Sequence, residues 1–247
     1  GGATCPSLLL EPSRTNLITN SEYFGSGWTF SNITANYNNS TSPEGLHNAT
    51  ILVPNTNNNT HRITQNVTAS GLVTASIYVK PSGYSKIGIQ NNVAGGGQYF
   101  TFDIDTLSKL DGNETDYGYE TAANGFIRLW VVMPAGTTQF GYFLYVLNDS
   151  YTTGNPGLYS FTGDGTSGIL VYGAQTEQGS YPTSYIPTYG SSQTRAVDDL
   201  TSTPLSINGL FGATSGSIFM EFTNPLQGLS NNWFSMTGEA AGSVAYM

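Results

Sequence analysis

Short runs of alternating apolar and polar residues recur along the chain, separated by turns rich in Gly, Asn, Pro and Asp. Strict alternation between such turns is the pattern of half-buried β-strands. No long stretch repeats its apolar residues at the spacing of an amphipathic helix. The pattern therefore predicts an all-β protein, built as an antiparallel β-sandwich. The predicted strands are residues 7–10, 28–30, 50–53, 61–67, 72–80, 86–90, 99–103, 117–122, 126–134, 139–147 and 168–176.

Alternation also divides the side chains of these strands between two faces. In the strands predicted at 72–80, 126–134 and 139–147, one face is largely aliphatic. If that face packs into the core, the other face places aromatic rings and a guanidinium on an outer sheet surface. Sugars stack on aromatic rings and hydrogen-bond to polar side chains, so the pattern predicts a glycan platform. The candidate glycan-binding residues are Tyr78, Arg128, Trp130 and Tyr145. The alternative is that loops or a neighbouring subunit cover these aromatic residues.

The composition changes after residue 180, where Pro, Tyr and Ser become frequent. Proline fixes φ and lacks an amide hydrogen, so Pro182 and Pro187 indicate an extended surface segment rather than a central strand. A new strand pattern begins at Ser217, but too few residues follow it to bury a core. We therefore predict a β-sandwich over 1–180, a closing segment and linker over 181–213, and an incomplete second β domain over 214–247. On this interpretation the chain is part of a longer protein.

The charge content is low, because 9% of the residues are charged and the net charge is −9 with seven Lys and Arg. Nucleic acids and anionic membranes are bound by clustered cations, so neither is an expected partner. No apolar run reaches the length that spans a bilayer. Cys5 is the single cysteine, which excludes an intrachain disulfide and a cysteine-rich metal site.

Residues typical of catalytic sites are sparse. The two histidines, His47 and His61, lie outside any zinc-binding motif and are predicted to be surface residues. Asp103 and Asp105 share a face if their strand stays extended, and such a pair could bind a cation or act in acid–base catalysis. The same residues are equally typical of a strand end that runs into a turn. Spacing alone defines no acid–base pair, and we predict that the chain is not an enzyme.

Two long segments carry a resemblance to a known family. They are CPSLLLEPSRTNLITNSEYFGSGW, which begins at Cys5, and VYGAQTEQGSYPTSYIPTYGSSQTRAVD, which begins at Val171. Together they resemble a module of bacteriophage virion proteins, including tail-fibre and head-fibre proteins, which is similar to jelly-roll carbohydrate-binding modules. The resemblance covers residues 5–199 and implies a jelly roll. The strand pattern at Ser217 resembles the opening strand of a concanavalin-like lectin domain.

The resemblance also implies a structural calcium ion near the entry segment and the last strand. The candidate ligands are Asn20, Glu22 and Glu177, although the chain contains no calcium-loop motif. The alternative for Glu22 is a solvated turn residue. Apart from this structural calcium, the chain is expected to require no cofactor.

The resemblance and the aromatic face together favour a structural protein of a phage virion, either a fibre or a decoration protein. Its β-sandwich would be a non-catalytic glycan-binding module for attachment to the host surface. The expected partners are a cell-surface polysaccharide and other virion proteins, in a homo-oligomer that would be a trimer in a fibre. Two alternatives remain: a purely structural assembly module of a capsid or fibre with no ligand, or an accessory domain of a polysaccharide-degrading enzyme.

Overall fold

Fourteen β-strands make up most of the structure, a computed structural model that describes residues 9–91, 97–136 and 139–198. In chain order the strands are β1 (Arg14–Asn16), β2 (Thr29–Ser31), β3 (Ile33–Ser40), β4 (Ala49–Pro54), β5 (Arg62–Thr68), β6 (Leu72–Ser82), β7 (Lys86–Asn91), β8 (Gln98–Asp103), β9 (Ser108–Gly112), β10 (Asp116–Thr121), β11 (Ile127–Pro134), β12 (Gln139–Leu147), β13 (Gly168–Gln178) and β14 (Gln193–Arg195). Short 3-10 turns lie at Ala123–Gly125 and Pro156–Leu158. Within the described ranges, no helix is long and apolar enough to cross a membrane.

Twelve of the strands form two antiparallel sheets of six strands each. Sheet 1 has the order β10-β11-β6-β13-β4-β3, and sheet 2 has the order β2-β5-β12-β7-β8-β9. β1 and β14 pair with each other in a separate two-stranded sheet.

The strand pairing follows a nested pattern. From β4 to β7, successive strands lie alternately in sheet 1 and sheet 2. Strands from the second half of the chain then pair with these four in reverse order. As a result β13 pairs with β4, β12 with β5, β11 with β6, and β8 with β7. Four nested antiparallel pairs folded into two facing sheets are the topology of a jelly roll. The predicted fold class, an all-β antiparallel β-sandwich of the jelly-roll type, is confirmed. The predicted second β domain at 214–247 and the linker beyond 198 lie outside the described residues.

The core lies between the sheets and is filled by the aliphatic faces that alternation predicts. On β6 the residues Val73, Ala75, Ile77 and Val79 are fully buried, and the inward residues of β11 and β12 pack against the same cluster. Aromatic residues complete it, including Phe100 and Phe102 of β8. Burial of these apolar side chains is the main term that stabilises the sandwich.

Every predicted strand from residue 28 onward coincides with an observed strand within a few residues. The predicted strand at 7–10 is wrong for its described part, because Leu9 and Leu10 are exposed and lie outside any strand. The four strands that the pattern does not predict are β1, β3, β9 and β14. They are short or, in β3, carry mostly exposed polar residues at a sheet edge, so they lack a strong alternating pattern.

Two segments flank the second half of β13, and we call them the entry segment (residues 11–28) and the closing segment (residues 179–190). The entry segment lies beside β13, where the amide of Leu17 donates to the carbonyl of Thr176 at 2.8 Å. Asn16, fully buried, ties both segments to the strand. Its amide nitrogen donates to the carbonyls of Ala174 and Ile186, and its carbonyl oxygen accepts from Ile18 and Thr176. All hydrogen-bonding capacity of this buried amide is therefore used in joining the two ends of the domain.

The closing segment is fixed at Thr183 by two buried charged residues. The amide and hydroxyl of Thr183 donate to the carboxylate of Glu177 at 2.8 and 2.7 Å, and its carbonyl accepts from Arg128 at 2.7 Å. Glu177 is fully buried and Arg128 is 4% exposed. A buried charge is tolerated when hydrogen bonds replace its hydration, so these contacts hold the segment in a single position.

Tyr142 offers a test of core packing. It is fully buried, and its hydroxyl has no hydrogen-bond partner among the described residues. An unpaired buried hydroxyl costs about 1–3 kcal/mol, because its bonds to water are lost without replacement. We expect Tyr142→Phe to keep the ring contact with Trp28, whose centroid is 5.7 Å away, and to raise the free energy of unfolding by about 1 kcal/mol. Urea denaturation measures the difference, and a clear loss of stability would show that the hydroxyl has a partner, such as a buried water.

Candidate functional site

The predicted glycan-binding residues lie on two different surfaces. Tyr78 on β6 and Arg128 on β11 are directly paired on the outer face of sheet 1, and Trp130 lies on the same face of β11. Tyr145 lies on β12 in sheet 2, on the opposite side of the sandwich. The expectation of a single face is therefore wrong for Tyr145. Alternation shows which residues of one strand share a face, but it does not show to which sheet that strand belongs.

The closing segment covers most of the sheet 1 face. The Tyr185 ring stacks edge-on against Tyr78, with ring centroids 5.9 Å apart, and Tyr172 completes this three-ring cluster. Arg128 donates to Thr183 and to Ser76, beneath the same segment. The closing segment therefore lies over Tyr78 and Arg128. For these two residues the structure matches the alternative that the sequence left open, in which a loop covers the candidate residues.

Trp130 stays partly exposed at the edge of that face. Its indole lies across Gly118 of β10, where an added Cβ would come within 2.4 Å of the ring. The absence of a side chain at Gly118 therefore lets the ring lie flat against the sheet. Tyr78 is also partly exposed, and of the three candidates on sheet 1 Arg128 is the buried one.

We expect Arg128→Met to destabilise the domain by about 2 kcal/mol, because the carbonyl of Thr183 loses its charged donor. Urea denaturation measures the loss. Lys80→Met is the matched control, since Lys80 is a more exposed cation of the same sheet that donates to one surface carbonyl. Equal effects of the two substitutions would contradict the assignment of Arg128 to the closing segment.

The three candidate calcium ligands have separate partners. Glu177 accepts hydrogen bonds from Thr183 and Gln175 and lies 3.7 Å from the guanidinium of Arg14, so donors and a cation already surround it. Glu22 accepts from tyrosine hydroxyls, and the side-chain amide of Asn20 donates to the carbonyl of Ser26. In the described ranges no three His, Cys, Asp or Glu side chains are grouped closely enough to hold a metal ion. The geometry of Glu177 fits an internal anchor rather than a calcium ligand, and calcium binding by this chain stays a prediction.

The structure also shows where the two histidines and the aspartate pair lie. His61 is 1% exposed, and its ring nitrogens lie 2.6 and 2.9 Å from the carbonyls of Asn32 and Phe161, so the prediction of a surface residue is wrong for it. His47 is exposed, as predicted. The carboxylate of Asp103 accepts from the backbone amide of Asp105, which lies in the turn after β8. The aspartates therefore form a strand end and turn, the alternative that the sequence left open.

The outer face of sheet 2 carries a row of polar and aromatic side chains that runs across the strands. Direct cross-strand pairs join Thr64 to Phe143, Phe143 to Gln90, and Gln90 to Tyr99. Thr64, Phe143 and Tyr99 are partly exposed. We call these four residues the open row. Two strand spacings separate Phe143 from Tyr99, which places their backbones about 10 Å apart.

The neighbouring row on the same face is covered by a loop, residues 148–161. Pro156 fills the space over Gly88, where an added Cβ would meet the proline ring at 2.8 Å. The hydroxyl of Tyr151 donates to Thr101, and the hydroxyl of Thr153 donates to Asp111. The loop therefore forms a wall along one side of the open row.

Polar groups connect the open row to this covered row. Tyr145, 1% exposed, donates its hydroxyl to the carbonyl oxygen of Gln90 at 2.8 Å. The guanidinium of Arg62 lies 5.4 Å from the ring centre of Phe143 and 5.8 Å from that of Tyr145, within cation–π range. The site combines ring surface with guanidinium, amide and hydroxyl groups, the mixture that binds sugars.

Sequence reasoning misses most of this surface. It assigns Phe143 to the same face as Tyr145, but it does not select Arg62, Thr64, Gln90 or Tyr99. Their outward positions follow from alternation, yet their neighbourhood depends on the order β5-β12-β7-β8, which joins strands far apart in the chain. No local signal in the sequence contains that order.

Comparison with known proteins gives distant structural similarity. No protein-family model matches the chain, and no curated protein matches it. Among solved structures, the enzymatically active domain of tailspike protein 4 from bacteriophage CBA120 is 14% identical, with a TM-score of 0.39 over 65% of this chain and 21% of that chain. The carbohydrate-binding module TmCBM61, in complex with β-1,4-galactotriose, is 13% identical, with a TM-score of 0.28 over 54% of this chain and 99% of that chain. This chain thus spans about a fifth of the length of the tailspike chain. Because both TM-scores are low, any inference of function has to come from the residues of this protein.

Asp111 holds the wall in place and makes it sensitive to acid. Hydrogen bonds from Thr153 and from the amide of Gly154 lower the pKa of its carboxyl. A carboxyl with a lowered pKa stabilises the folded arrangement above its ordinary pKa, near 4, and this contribution is lost as the pH falls through the lowered value. We therefore expect the loop to loosen below about pH 4.

Backbone NMR relaxation at Gly154 tests this expectation. Asp111→Asn, which presents an amide group to the same donors, should show the loosened loop already at neutral pH. Asp116→Asn is the control, because the hydrogen bond of that exposed carboxylate is to the adjacent amide of Tyr117. A loop that stays rigid in Asp111→Asn would disprove the role of this carboxylate.

Proposed function

We propose that this chain is a non-catalytic glycan-binding module of a phage virion protein, and that it attaches the particle to a polysaccharide of the host surface. The fold supports a binding role, since a jelly roll presents broad sheet faces on rigid strands. The virion assignment is supported by the resemblance of the two terminal segments to phage fibre modules. The module requires no cofactor in this proposal, and its partners are the polysaccharide and other virion proteins, in a homo-oligomer.

The observation that carries the proposal is the open row on sheet 2. Phe143 and Tyr99 present partly exposed rings on either side of Gln90, which is 4% exposed and accepts a hydrogen bond from the hydroxyl of Tyr145. Pyranose rings stack their C–H faces on aromatic side chains, while their hydroxyls pair with amide, hydroxyl and guanidinium groups. The backbones that carry the two rings lie about 10 Å apart, so a ligand that touches both rings has to extend across two strand spacings.

The direction of the row favours a polysaccharide over a single sugar as the ligand. From Thr64 of β5 to Tyr99 of β8 the row crosses three strand spacings, about 14 Å. The loop at 148–161 borders one side of the row beside β12, β7 and β8, and the other side is open, so the row forms an open groove rather than an enclosed pocket. An open groove accommodates an internal stretch of a polysaccharide, which has no free end to insert.

The sheet 1 face contributes less in this proposal. Arg128 is buried beneath the closing segment and Tyr78 packs against Tyr185, whereas Trp130 is a partly exposed ring away from these contacts. The two faces are therefore distinguishable by single substitutions.

A glycan-array screen tests the function and the site together. We expect the wild-type protein to bind one class of polysaccharide, and Phe143→Ala to lose that binding because the stacking surface is gone. Thr64→Arg should also lose it, because a long side chain would cross the row without creating a core cavity. Trp130→Ala is the matched aromatic control from sheet 1 and should bind as the wild type does. Circular dichroism verifies that each variant is folded.

Other outcomes separate the remaining interpretations. Loss of binding in Trp130→Ala alone would move the site to sheet 1. No binding across a broad array by the folded wild-type protein would contradict the glycan proposal and favour a purely structural assembly module. Release of oligosaccharides from a bound polysaccharide would show that the chain is catalytic after all.

A further inference from the structure

A second surface of the molecule combines exposed rings with carboxylates, and it lies where the entry and closing segments meet. The hydroxyls of Tyr185 and Tyr189 both donate to one carboxylate oxygen of Glu22, at 3.3 and 3.0 Å. Burial raises the pKa of Tyr172, and its neighbours Glu22 and Glu44 raise it further. Two carboxylates therefore face a common group of tyrosine hydroxyls that stay protonated and act as donors.

The rings beside these carboxylates are strongly exposed. Tyr189 is 71% exposed, Tyr23 is 51% exposed, and Tyr37 of β3 is 40% exposed. Tyr23 and Tyr37 lie side by side with ring centroids 4.8 Å apart. The ring of Tyr23 folds down over Gly25, where an added Cβ would come within 2.4 Å of it. Exposed aromatic rings grouped on one surface offer a stacking platform for a ligand.

Tyr189 is held in place despite its exposure. Its hydroxyl is bonded to Glu22, its backbone forms an antiparallel bridge with Asn20, and the next amide, that of Gly190, donates to the carbonyl of Thr19 at 2.7 Å. A fixed ring loses little conformational entropy when a ligand stacks on it, so it is preorganised for binding.

The carboxylates lack a cationic partner. In the described part of the chain, neither Glu22 nor Glu44 forms a salt bridge with a Lys or Arg. An ionised carboxylate accepts hydrogen bonds, and a neutral ligand with adjacent hydroxyl donors supplies them. Vicinal hydroxyls of a sugar meet that requirement, and the C–H face of the same sugar matches an exposed tyrosine ring.

We propose that Tyr23, Tyr37, Tyr189 and Glu22, here called the tyrosine patch, form a second carbohydrate subsite that binds one pyranose residue. The sugar stacks on Tyr189 and donates two vicinal hydroxyls to Glu22. The subsite shares its ligand class with the proposed function, and it uses none of the residues of the open row. Each of the two proposed sites is therefore tested by its own substitutions.

Protein-observed NMR with simple sugars tests the subsite. The probes are the methyl glycosides of glucose, galactose, mannose and N-acetylglucosamine, each titrated into the full chain at millimolar concentration. We expect at least one of them to shift the amides of Asn20 and Gly190, in the wild type and equally in Phe143→Ala. Glu22→Gln and Tyr189→Phe should weaken this binding about tenfold, since each removes part of the charged hydrogen-bond network. Tyr189→Ala should abolish it.

Leu72→Ala is the control, because Leu72 is an exposed apolar residue of β6 six positions from Tyr78, about 20 Å along the strand. It should leave the titration unchanged, and urea denaturation of Tyr189→Phe shows whether the variant stays folded. The proposal is overturned if no glycoside shifts these amides, or if the shifts persist in Tyr189→Ala. It is also overturned if calcium chloride moves the same amides in the absence of sugar and EDTA reverses the change, because the carboxylate would then be a cation site. Shifts that disappear in Phe143→Ala would assign the binding to the open row instead.

Discussion

Thr183 is held between a buried carboxylate and a buried guanidinium, and the closure of the domain depends on this contact. Both charges lie under the closing segment, where water cannot solvate them, and each uses the backbone of Thr183 as a partner. Removing the segment would leave Glu177 and Arg128 without those hydrogen bonds, which is costly for charges in a largely buried setting. The segment and the charges therefore stabilise each other, and Asn16 extends the same network to the entry segment. The jelly roll obtains from these polar contacts a defined position for both of its ends.

This closure determines which surfaces remain for a ligand. The two segments occupy the middle of the sheet 1 face, so the aromatic residues there become packing residues, with Trp130 left at the edge. Sheet 2 has a different cover, the loop at 148–161, which protects one row of side chains and leaves the next one open. The closure also creates a surface of its own, because Tyr189 and Glu22 come from opposite ends of the chain and meet only when both segments are in place.

Local alternation predicts much of the fold, and the reason is physical. A strand with one buried face repeats its apolar residues at every second position, so the inward sets on β6, β11 and β12 follow from the sequence alone. Strand order is a long-range property, and for that reason alternation by itself puts Tyr145 on the same face as Tyr78. Buried polar residues are also misjudged from sequence. His61, Arg128 and Glu177 have the chemistry of surface or ligand-binding groups, and only their partners in the loop at 148–161 and in the closing segment explain why each is buried.

The predicted resemblance to phage fibre modules and the closure of the domain involve the same two segments. The two segments that carry it contain Asn16, Glu177 and Thr183, whose side chains fix the ends of the sandwich. Residues of the open row, including Thr64, Gln90 and Tyr99, lie outside both segments. A protein that shares these segments therefore shares the way in which the jelly roll is closed, whereas its groove is free to carry other side chains. The two segments accordingly carry information about architecture, and any ligand specificity of the open row has to be derived from the strands between them.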